Sequence, residues 1–241
     1  MVVRLVYEDR EYVRAPGTTL ETDLGVLDIP EDVQPGESIE SHTGYEFGVR
    51  ELRPPDYFTH FSRSGAPMLP RDIGLVIGAT GIKEGDRVLD AGTGTGILAG
   101  YIGALGASVT TFERNPEAAE LARENFSMVG LDNAVTVKTG DVRERIEEET
   151  IAPVDVVTLD TQDAPAVIES IEELLVPGGY LAVYSPFVED ARAVVEGARK
   201  SLTDVRSVET LQRELDVDER GTRPSTRPVG HSGYLTFGRR P

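Results

Sequence analysis

The stretch Val88-Leu89-Asp90-Ala91-Gly92-Thr93-Gly94-Thr95-Gly96 runs from apolar residues into a loop with glycine at every second position. The apolar part predicts a buried strand, and residues 97–105 predict a helix after the loop. Glycines at such a turn let the backbone approach a ligand closely and present free N–H groups. We therefore predict a nucleoside-cofactor site here. The loop alone leaves NAD, S-adenosylmethionine and a purely structural turn open, because residues 94–99 also satisfy the loose dinucleotide fingerprint.

Outward from the loop, apolar runs alternate with helical patterns, which is typical of a parallel sheet covered by helices. Asn115-Pro116 predicts a helix start, since Asn can cap a helix and Pro suits its first turn. We predict helices at 97–105, 116–129, 166–175 and 187–202, and strands at 87–90, 108–112, 135–137, 154–159, 180–184, 205–215 and 233–237. The expected fold class is α/β, with a mostly parallel seven-stranded sheet.

The first 53 residues follow a different pattern, with short apolar runs broken by turn signals such as Pro16-Gly17 and Pro35-Gly36. They predict a small β-rich domain, barrel-like or a β-sandwich. We expect this domain to span residues 1–60 and the α/β domain to span 61–241. Tyr57, Phe58 and Phe61 lie at helical spacing, and we expect them to pack between the two domains.

Four acidic residues fall at the carboxyl ends of predicted strands: Asp90, Glu113, Asp141 and Asp160. In a parallel sheet these ends meet at one edge, so we expect all four to converge on one crevice. Glu113 lies about 20 residues after the loop, where an acid can accept hydrogen bonds from ribose hydroxyls. A pyrophosphate would be repelled by this cluster, whereas S-adenosylmethionine carries a sulfonium and an ammonium. The acids therefore favour S-adenosylmethionine.

The chain is strongly acidic: its 241 residues carry a net charge of −18, from 42 acidic and 24 basic side chains. Only three of the basic residues are lysines, Lys83, Lys138 and Lys200. This composition resembles that of halophilic proteins, although an acidic protein from a low-salt organism is the alternative. The chain has no cysteine and only three histidines, so we do not expect a metal site. Without a long apolar run or a signal core, we expect a cytoplasmic protein with no membrane contact.

At this point the residues resemble a known family. The glycine loop and Pro177-Gly178-Gly179 are similar to motifs of class I methyltransferases with a Rossmann-like fold. More specific are residues 67–72, Leu159-Asp160, Arg223-Pro224 and the segment 229–235, which together resemble the tRNA (adenine-N1) methyltransferases that modify the T-loop. The sequence departs from that family at Leu69, where an aromatic residue or histidine is usual, and at Pro165, which follows the acid later than usual.

The resemblance implies methyl transfer from S-adenosylmethionine to N1 of tRNA adenosine 58, with adenosine 57 as a further candidate, by a homotetramer. It implies that Glu113 holds the ribose, that Asp141 meets the adenine amino group of the cofactor, and that Asp160 faces the target base as the catalytic carboxylate. The expected cofactor-binding residues are Asp90, Gly92, Thr93, Gly94, Thr95, Gly96, Glu113, Arg114, Gly140, Asp141 and Asp160.

The C-terminal segment carries the expected tRNA contacts. Arg220, Arg223 and Arg227 lie within eight residues of an otherwise acidic chain, which favours a phosphate-binding site over intramolecular ion pairs. His231 is either a further tRNA contact or a hydrogen-bonded turn residue. Two other functions stay open: a class I methyltransferase acting on a protein carboxylate or small molecule, and a non-catalytic RNA-binding subunit.

Overall fold

The computed structural model describes residues 2–148, 151–228 and 230–241; Val229, the first residue of the C-terminal motif, lies outside them. The N-terminal region contains the strands β1 (Val3–Tyr7), β2 (Arg10–Arg14), β3 (Thr19–Thr22), β4 (Gly25–Asp28), β5 (Ser38–Glu40) and β6 (Glu46–Arg50). It is β-rich, as the sequence predicts. Its four-stranded antiparallel sheet has the order β2-β1-β6-β5, while β3 and β4 form a separate hairpin. Within the described residues the sheet ends at β2 and β5, and the barrel-like form of this domain stays a prediction.

Two helices connect this region to the rest of the chain, α1 (Pro54–His60) and α2 (Pro70–Thr80). Tyr57 and Phe61 are buried in the larger core, where the Tyr57 ring stacks on Phe61 at 4.7 Å between centroids. Arg4 of β1 donates to Asp56 of α1 at 2.7 Å and ties the N-terminal sheet to this helix. Because α1 packs with the larger core, we propose that the domain boundary precedes it rather than following residue 60.

The larger region alternates strands and helices. In chain order it contains β7 (Arg87–Ala91), α3 (Ile97–Ala104), β8 (Ser108–Glu113), α4 (Pro116–Val129), β9 (Val135–Thr139), α5 (Val142–Glu148), β10 (Val154–Leu159), α6 (Ala164–Ile168), α7 (Ile171–Leu174), β11 (Leu175–Ser185), α8 (Val188–Ala198), β12 (Thr203–Glu209), β13 (Leu215–Asp218), β14 (Gly221–Pro224) and β15 (Tyr234–Arg239). Helix α4 begins where the sequence predicts, because the Asn115 side chain accepts from the backbone N–H of Glu117 at 2.9 Å.

One seven-stranded sheet organises this region, with the strand order β12-β15-β11-β10-β7-β8-β9. Strands β11, β10, β7, β8 and β9 are parallel, and β15 pairs antiparallel with both β11 and β12. Apolar residues on both faces of the sheet are covered by helices. The carboxyl ends of β10, β7, β8 and β9 therefore lie side by side at one edge, which confirms the expected Rossmann-like class.

The structure differs from the sequence expectation in two places near this edge. The helix expected at 166–175 is two short helices, and Pro165 lies in the first turn of α6, which explains why proline follows Asp160 late. The strand expected at 205–215 stops at Glu209, because its partner Tyr234 is the first residue of β15. The chain then forms the separate hairpin β13–β14. Among the described residues, no helix is long and apolar enough to cross a membrane.

Candidate active site

A cleft of about 310 Å³ opens at the carboxyl ends of the parallel strands, where a ligand is expected in an open α/β sheet. Two smaller cavities adjoin it, of about 60 Å³ and about 120 Å³. The expected cofactor-binding residues in the main cleft come from the ends of four strands: Gly92, Gly94, Glu113, Arg114, Gly140, Asp141 and Asp160. Thr93 and Thr95 line the 60 Å³ cavity instead, beside the segment 64–68.

The glycine loop is shaped by contacts that exclude larger side chains. Gly92 has φ +90°, and a Cβ there would lie 2.0 Å from the backbone oxygen of Asp160. Gly96, the residue immediately before α3, has φ +85°, and a Cβ there would lie 2.6 Å from the ring of Phe126. Gly92 therefore lets β7 and β10 meet under the cleft, whereas Gly96 serves helix packing and lines none of the three cavities.

Glu113 is held against the loop. Its Oε2 accepts from the backbone N–H of Gly94 at 2.9 Å, and its Oε1 accepts from the N–H of Asn115 at 2.9 Å. Both bonds fix the carboxylate at the middle of the cleft while leaving further lone pairs for a ligand hydroxyl. The geometry suits the ribose-binding role that the resemblance implies.

Asp141 lies at the far end of the cleft, after β9. Arg143 donates to both of its oxygens, from Nη2 to Oδ2 at 2.6 Å and from Nε to Oδ1 at 3.1 Å. These bonds hold the pKa of Asp141 below its usual range. The carboxylate therefore stays ionised and oriented at the end of the cleft opposite Asp160.

Asp90 does not join the other three acids in the cleft, so the expected convergence of all four is wrong. It is buried beneath the loop, where its carboxylate accepts from the hydroxyls of Thr111 and Thr158, both at 2.5 Å. The burial raises its pKa. Asp90 alone among the four points into the sheet, and it supports the loop from below rather than offering a ligand contact.

Asp160 is half-buried and lines all three cavities. Burial, together with the nearby Asp90 charge, raises its pKa to about 7. A carboxylate in this environment gains from a neighbouring cation or hydrogen-bond donor. Asp160 therefore occupies the junction at which ligands in the separate cavities would meet.

Tyr184 is a residue of this junction that the sequence did not reveal. It lines the 120 Å³ cavity with Asp160, and burial is the first cause that raises the pKa of its phenol. Its hydroxyl donates to the backbone oxygen of Ser232, and a Cβ at Gly233 would lie 2.4 Å from its ring. A glycine in the motif around Gly233 could have indicated that an aromatic side chain packs against it, but the sequence does not identify that side chain as Tyr184.

Leu69 immediately precedes α2 and lines none of the three cavities.

The expected tRNA-binding arginines lie on or beside the β13–β14 hairpin, away from the lining of the three cavities. All three are exposed and each has an acidic partner: Arg220 with Asp218 at 3.5 Å, Arg223 with Asp216 at 4.0 Å and Arg227 with Glu214 at 3.5 Å. In the protein without RNA, the three arginines therefore form intramolecular ion pairs, which is the alternative that the sequence left open. Such exposed pairs are weak, so they can exchange for phosphate contacts.

His231 makes the hydrogen bonds of a turn residue, and its side chain stays partly exposed. Its Nδ1 lies 2.6 Å from Glu209 Oε1, and its Nε2 lies 3.0 Å from the backbone oxygen of Pro186. The hydrogen bond with Glu209 raises its pKa. A protonated His231 can satisfy both acceptors at once, which ties the motif to the loop after β11.

The glycine loop and the carboxylates that line the cleft fit S-adenosylmethionine. Across the sheet order β10-β7-β8-β9, the cleft presents Asp160, the glycine loop, Glu113 and Asp141 in turn. The cofactor has a sulfonium, a ribose and an adenine in the same linear order, so its methyl group would lie near Asp160, its ribose near Glu113 and its adenine near Asp141. Fold and cleft together define a class I S-adenosylmethionine-dependent methyltransferase.

Comparison with known proteins identifies the family. Residues 68–223 match the family described as the tRNA methyltransferase complex GCD14 subunit. The chain belongs to this tRNA methyltransferase family, and S-adenosylmethionine is its methyl donor.

Relatives and solved structures agree with this assignment. The chain is 35% identical to the tRNA (adenine(57)-N(1)/adenine(58)-N(1))-methyltransferase TrmI of Methanocaldococcus jannaschii, over 91% of this chain and 87% of that protein. A SAM-dependent O-methyltransferase of Thermotoga maritima has a TM-score of 0.81 at 26% identity, covering 99% of this chain and 92% of the other. The tRNA (m1A58) methyltransferase TrmI of Aquifex aeolicus shares the fold, with a TM-score of 0.75, 21% identity and coverage of 100% and 97%.

Proposed function

We propose that this protein methylates N1 of adenosine 58 in the T-loop of tRNA, with adenosine 57 as a further acceptor, and that Asp160 is the catalytic residue. The observation that carries the proposal is the position of Asp160 at the junction of three cavities. A cofactor in the main cleft and a base in the 120 Å³ cavity would both reach this carboxylate. The family assignment and the 35% identity to a TrmI support the tRNA substrate.

The chemistry needs a carboxylate at this place. N1 of adenine is already a nucleophile, but methylation leaves a positive charge that spreads onto the exocyclic amine. Asp160 can accept an N–H of that amine in the ground state and stabilise the charge as it develops. Because its pKa is raised to about 7, Asp160 can also take up the proton that the methylated base releases.

Other residues position the reactants. Gly92, Gly94, Glu113 and Asp141 would hold S-adenosylmethionine, which supplies the methyl group and its own leaving group when bound. Tyr184 and Asp160 would flank the target base after it leaves its stack, at an unstacking cost of a few kcal/mol. Arg220, Arg223, Arg227 and His231 are the proposed tRNA contacts, with the arginines exchanging their carboxylate partners for phosphates.

Product mapping tests the function. Purified protein is incubated with methyl-labelled cofactor and an unmodified tRNA transcript, and the nucleosides are then analysed. We expect 1-methyladenosine at position 58, and loss of that signal when adenosine 58 is replaced by uridine. Label transferred to a protein carboxylate but not to tRNA would instead establish the alternative methyltransferase function, and binding of tRNA without label transfer would indicate a non-catalytic subunit.

We also propose that the protein assembles as a homotetramer. The hairpin β13–β14 exposes apolar side chains, including Leu215 and Val217, that a second copy could cover. The resemblance to the T-loop methyltransferases supports the same assembly. Light scattering in high salt should give four times the chain mass, and a monomer at working concentration would contradict the proposal.

The acidic surface supports a further proposal, that this is a cytoplasmic protein of a halophile. The 42 acidic side chains repel one another across the surface in dilute buffer, and molar salt screens that repulsion. The melting temperature should therefore rise from dilute buffer to molar KCl. A melting temperature that stays flat or falls over this range would contradict the halophile proposal.

A further inference from the structure

Asp163 is placed at the start of α6 but does not act as a helix cap. It occupies the N-cap position, yet its side chain makes no capping hydrogen bond. Instead Asp163 Oδ2 lies 3.6 Å from Arg114 Nη1, and Asp163 Oδ1 lies 3.3 Å from Arg143 Nη1. We call these three residues, Arg114, Asp163 and Arg143, the Asp163 bridge. The Asp163 side chain is thus committed to two arginines rather than to the helix start.

The Asp163 bridge extends across the cleft. Asp163 follows β10, Arg114 follows β8 and Arg143 follows β9, and the sheet order places β7 and β8 between β10 and β9. With neighbouring strands about 4.8 Å apart, the bridge links loops that the sheet keeps roughly three strand spacings apart. Asp163 and Arg114 both line the main cleft. The bridge therefore fixes the mouth of the cleft rather than a distant surface.

The bridge also reaches Asp141. The Nε and Nη2 of Arg143 donate to the two oxygens of the Asp141 carboxylate. The third nitrogen of the same guanidinium, Nη1, forms the ion pair with Asp163. A guanidinium held on two sides has little freedom to rotate. Asp163 thus sets the orientation of Arg143, and Arg143 sets that of Asp141 at the cleft end farthest from Asp160.

We propose that Asp163 and Arg143 are positioning residues for the adenine end of the methyl donor, and that they set its affinity and the preference for a 6-amino group. The inference rests on the proposed function in one respect, that the reacting end of the cofactor lies at Asp160. Asp141, at the other end, then faces the adenine, whose exocyclic amine donates to a carboxylate. Loss of the Asp163 contact loosens the Arg143 guanidinium and with it the Oδ2 side of Asp141, while Oδ1 keeps the backbone N–H of Arg143 at 2.9 Å.

The test is calorimetry without tRNA. S-adenosylhomocysteine and its inosine analogue, in which a carbonyl oxygen replaces the 6-amino group, are titrated into wild type, Asp163→Asn and Arg143→Lys. Wild type should prefer the adenosine compound. Both variants should bind it about fivefold more weakly and show a smaller preference over the inosine analogue. Glu196→Gln is the matched control, because it breaks an exposed ion pair with Arg192 on α8 and lines none of the three cavities.

A purely structural role would lower the melting temperature of the variants and leave the preference between the two ligands unchanged, which would overturn the proposal. Tighter binding by Asp163→Asn would also overturn it, since the bridge would then obstruct the cleft. Wild-type protein that binds neither compound would contradict both this inference and the cofactor assignment. Because tRNA is absent, failure to methylate tRNA leaves the result of the titration standing.

Discussion

The cleft and the arginine hairpin are both expected to contact substrate, but they are built in opposite ways. In the cleft, two backbone N–H groups hold the Glu113 carboxylate before any ligand binds, and the Asp160 backbone bonds to Ala91 and packs closely on Gly92. On the hairpin, Arg220, Arg223 and Arg227 are exposed and paired with carboxylates at 3.5 to 4.0 Å. Under the proposed function, fixed electrostatics serve the chemical step, whereas exchangeable ion pairs bind a large, charged partner.

The largest effect should come from the junction residue of the cleft. Asp160→Asn keeps the shape of the side chain but cannot neutralise the developing cation on the base. We expect the single-turnover rate to fall by roughly 10²-fold or more, the scale for losing a preorganised electrostatic partner. Cofactor affinity should stay nearly unchanged.

Asp163→Asn tests whether Asp163, rather than Asp160, is the catalytic carboxylate. At saturating cofactor it should keep near-native turnover, since Asp163 is engaged by Arg114 and Arg143. If Asp160→Asn turned over normally while Asp163→Asn did not, the assignment of the catalytic carboxylate would be wrong.

The next effect concerns the loop under the cleft. Gly92→Ala places a Cβ 2.0 Å from the Asp160 backbone oxygen at φ +90°, so the loop must shift. We expect cofactor affinity, measured by calorimetry, to fall by about 30-fold or more, consistent with backbone strain of 1–3 kcal/mol. Gly94→Ala is the matched control: its φ is also positive, but the nearest atom to a Cβ is 3.9 Å away, so its loss should be smaller. Equal losses in the two variants would show that close packing at Gly92 does not shape the site.

The hairpin should show a smaller and different effect. Replacing Arg220, Arg223 and Arg227 together by Gln should lower kcat/KM for tRNA by about tenfold and reduce the salt dependence of tRNA binding. Cofactor affinity should not change, because none of the three lines the cleft. Arg192→Gln on α8 removes one exposed arginine elsewhere and controls for the loss of a single positive charge outside the hairpin. An unchanged tRNA kcat/KM in the triple variant would remove the hairpin from the RNA interface.

The same contrast explains what the sequence could predict. Gly92, Glu113 and Asp160 were predictable because a strand, a tight turn and a strand end leave few places for these residue types. Asp90 was misplaced because sequence gives the strand end but not which side chain turns inward to Thr111 and Thr158. The partners of the arginines could not be predicted, since ion pairs depend on side-chain geometry in the folded hairpin.

Tyr184 and the Asp163 bridge were missed for a related reason. Tyr184 meets Ser232 and Gly233 across 48 residues or more of chain, and no local pattern encodes such a contact. Asp163 pairs with Arg114 and Arg143, which lie 49 and 20 residues earlier in the chain. Only the fold brings these three side chains together.

The pH dependence of kcat/KM for the cofactor tests the central claim, that an ionised Asp160 in a preorganised cleft drives methyl transfer. This parameter reports groups of the free enzyme, in which burial raises the Asp160 pKa to about 7. Between about pH 5.5 and 8.5, we expect the wild-type kcat/KM to fall on the acid side as Asp160 is protonated, with an apparent pKa near 7. This acid limb should be absent from the residual activity of Asp160→Asn. A wild-type profile that is flat across this range, or an acid limb that persists in Asp160→Asn, would contradict it.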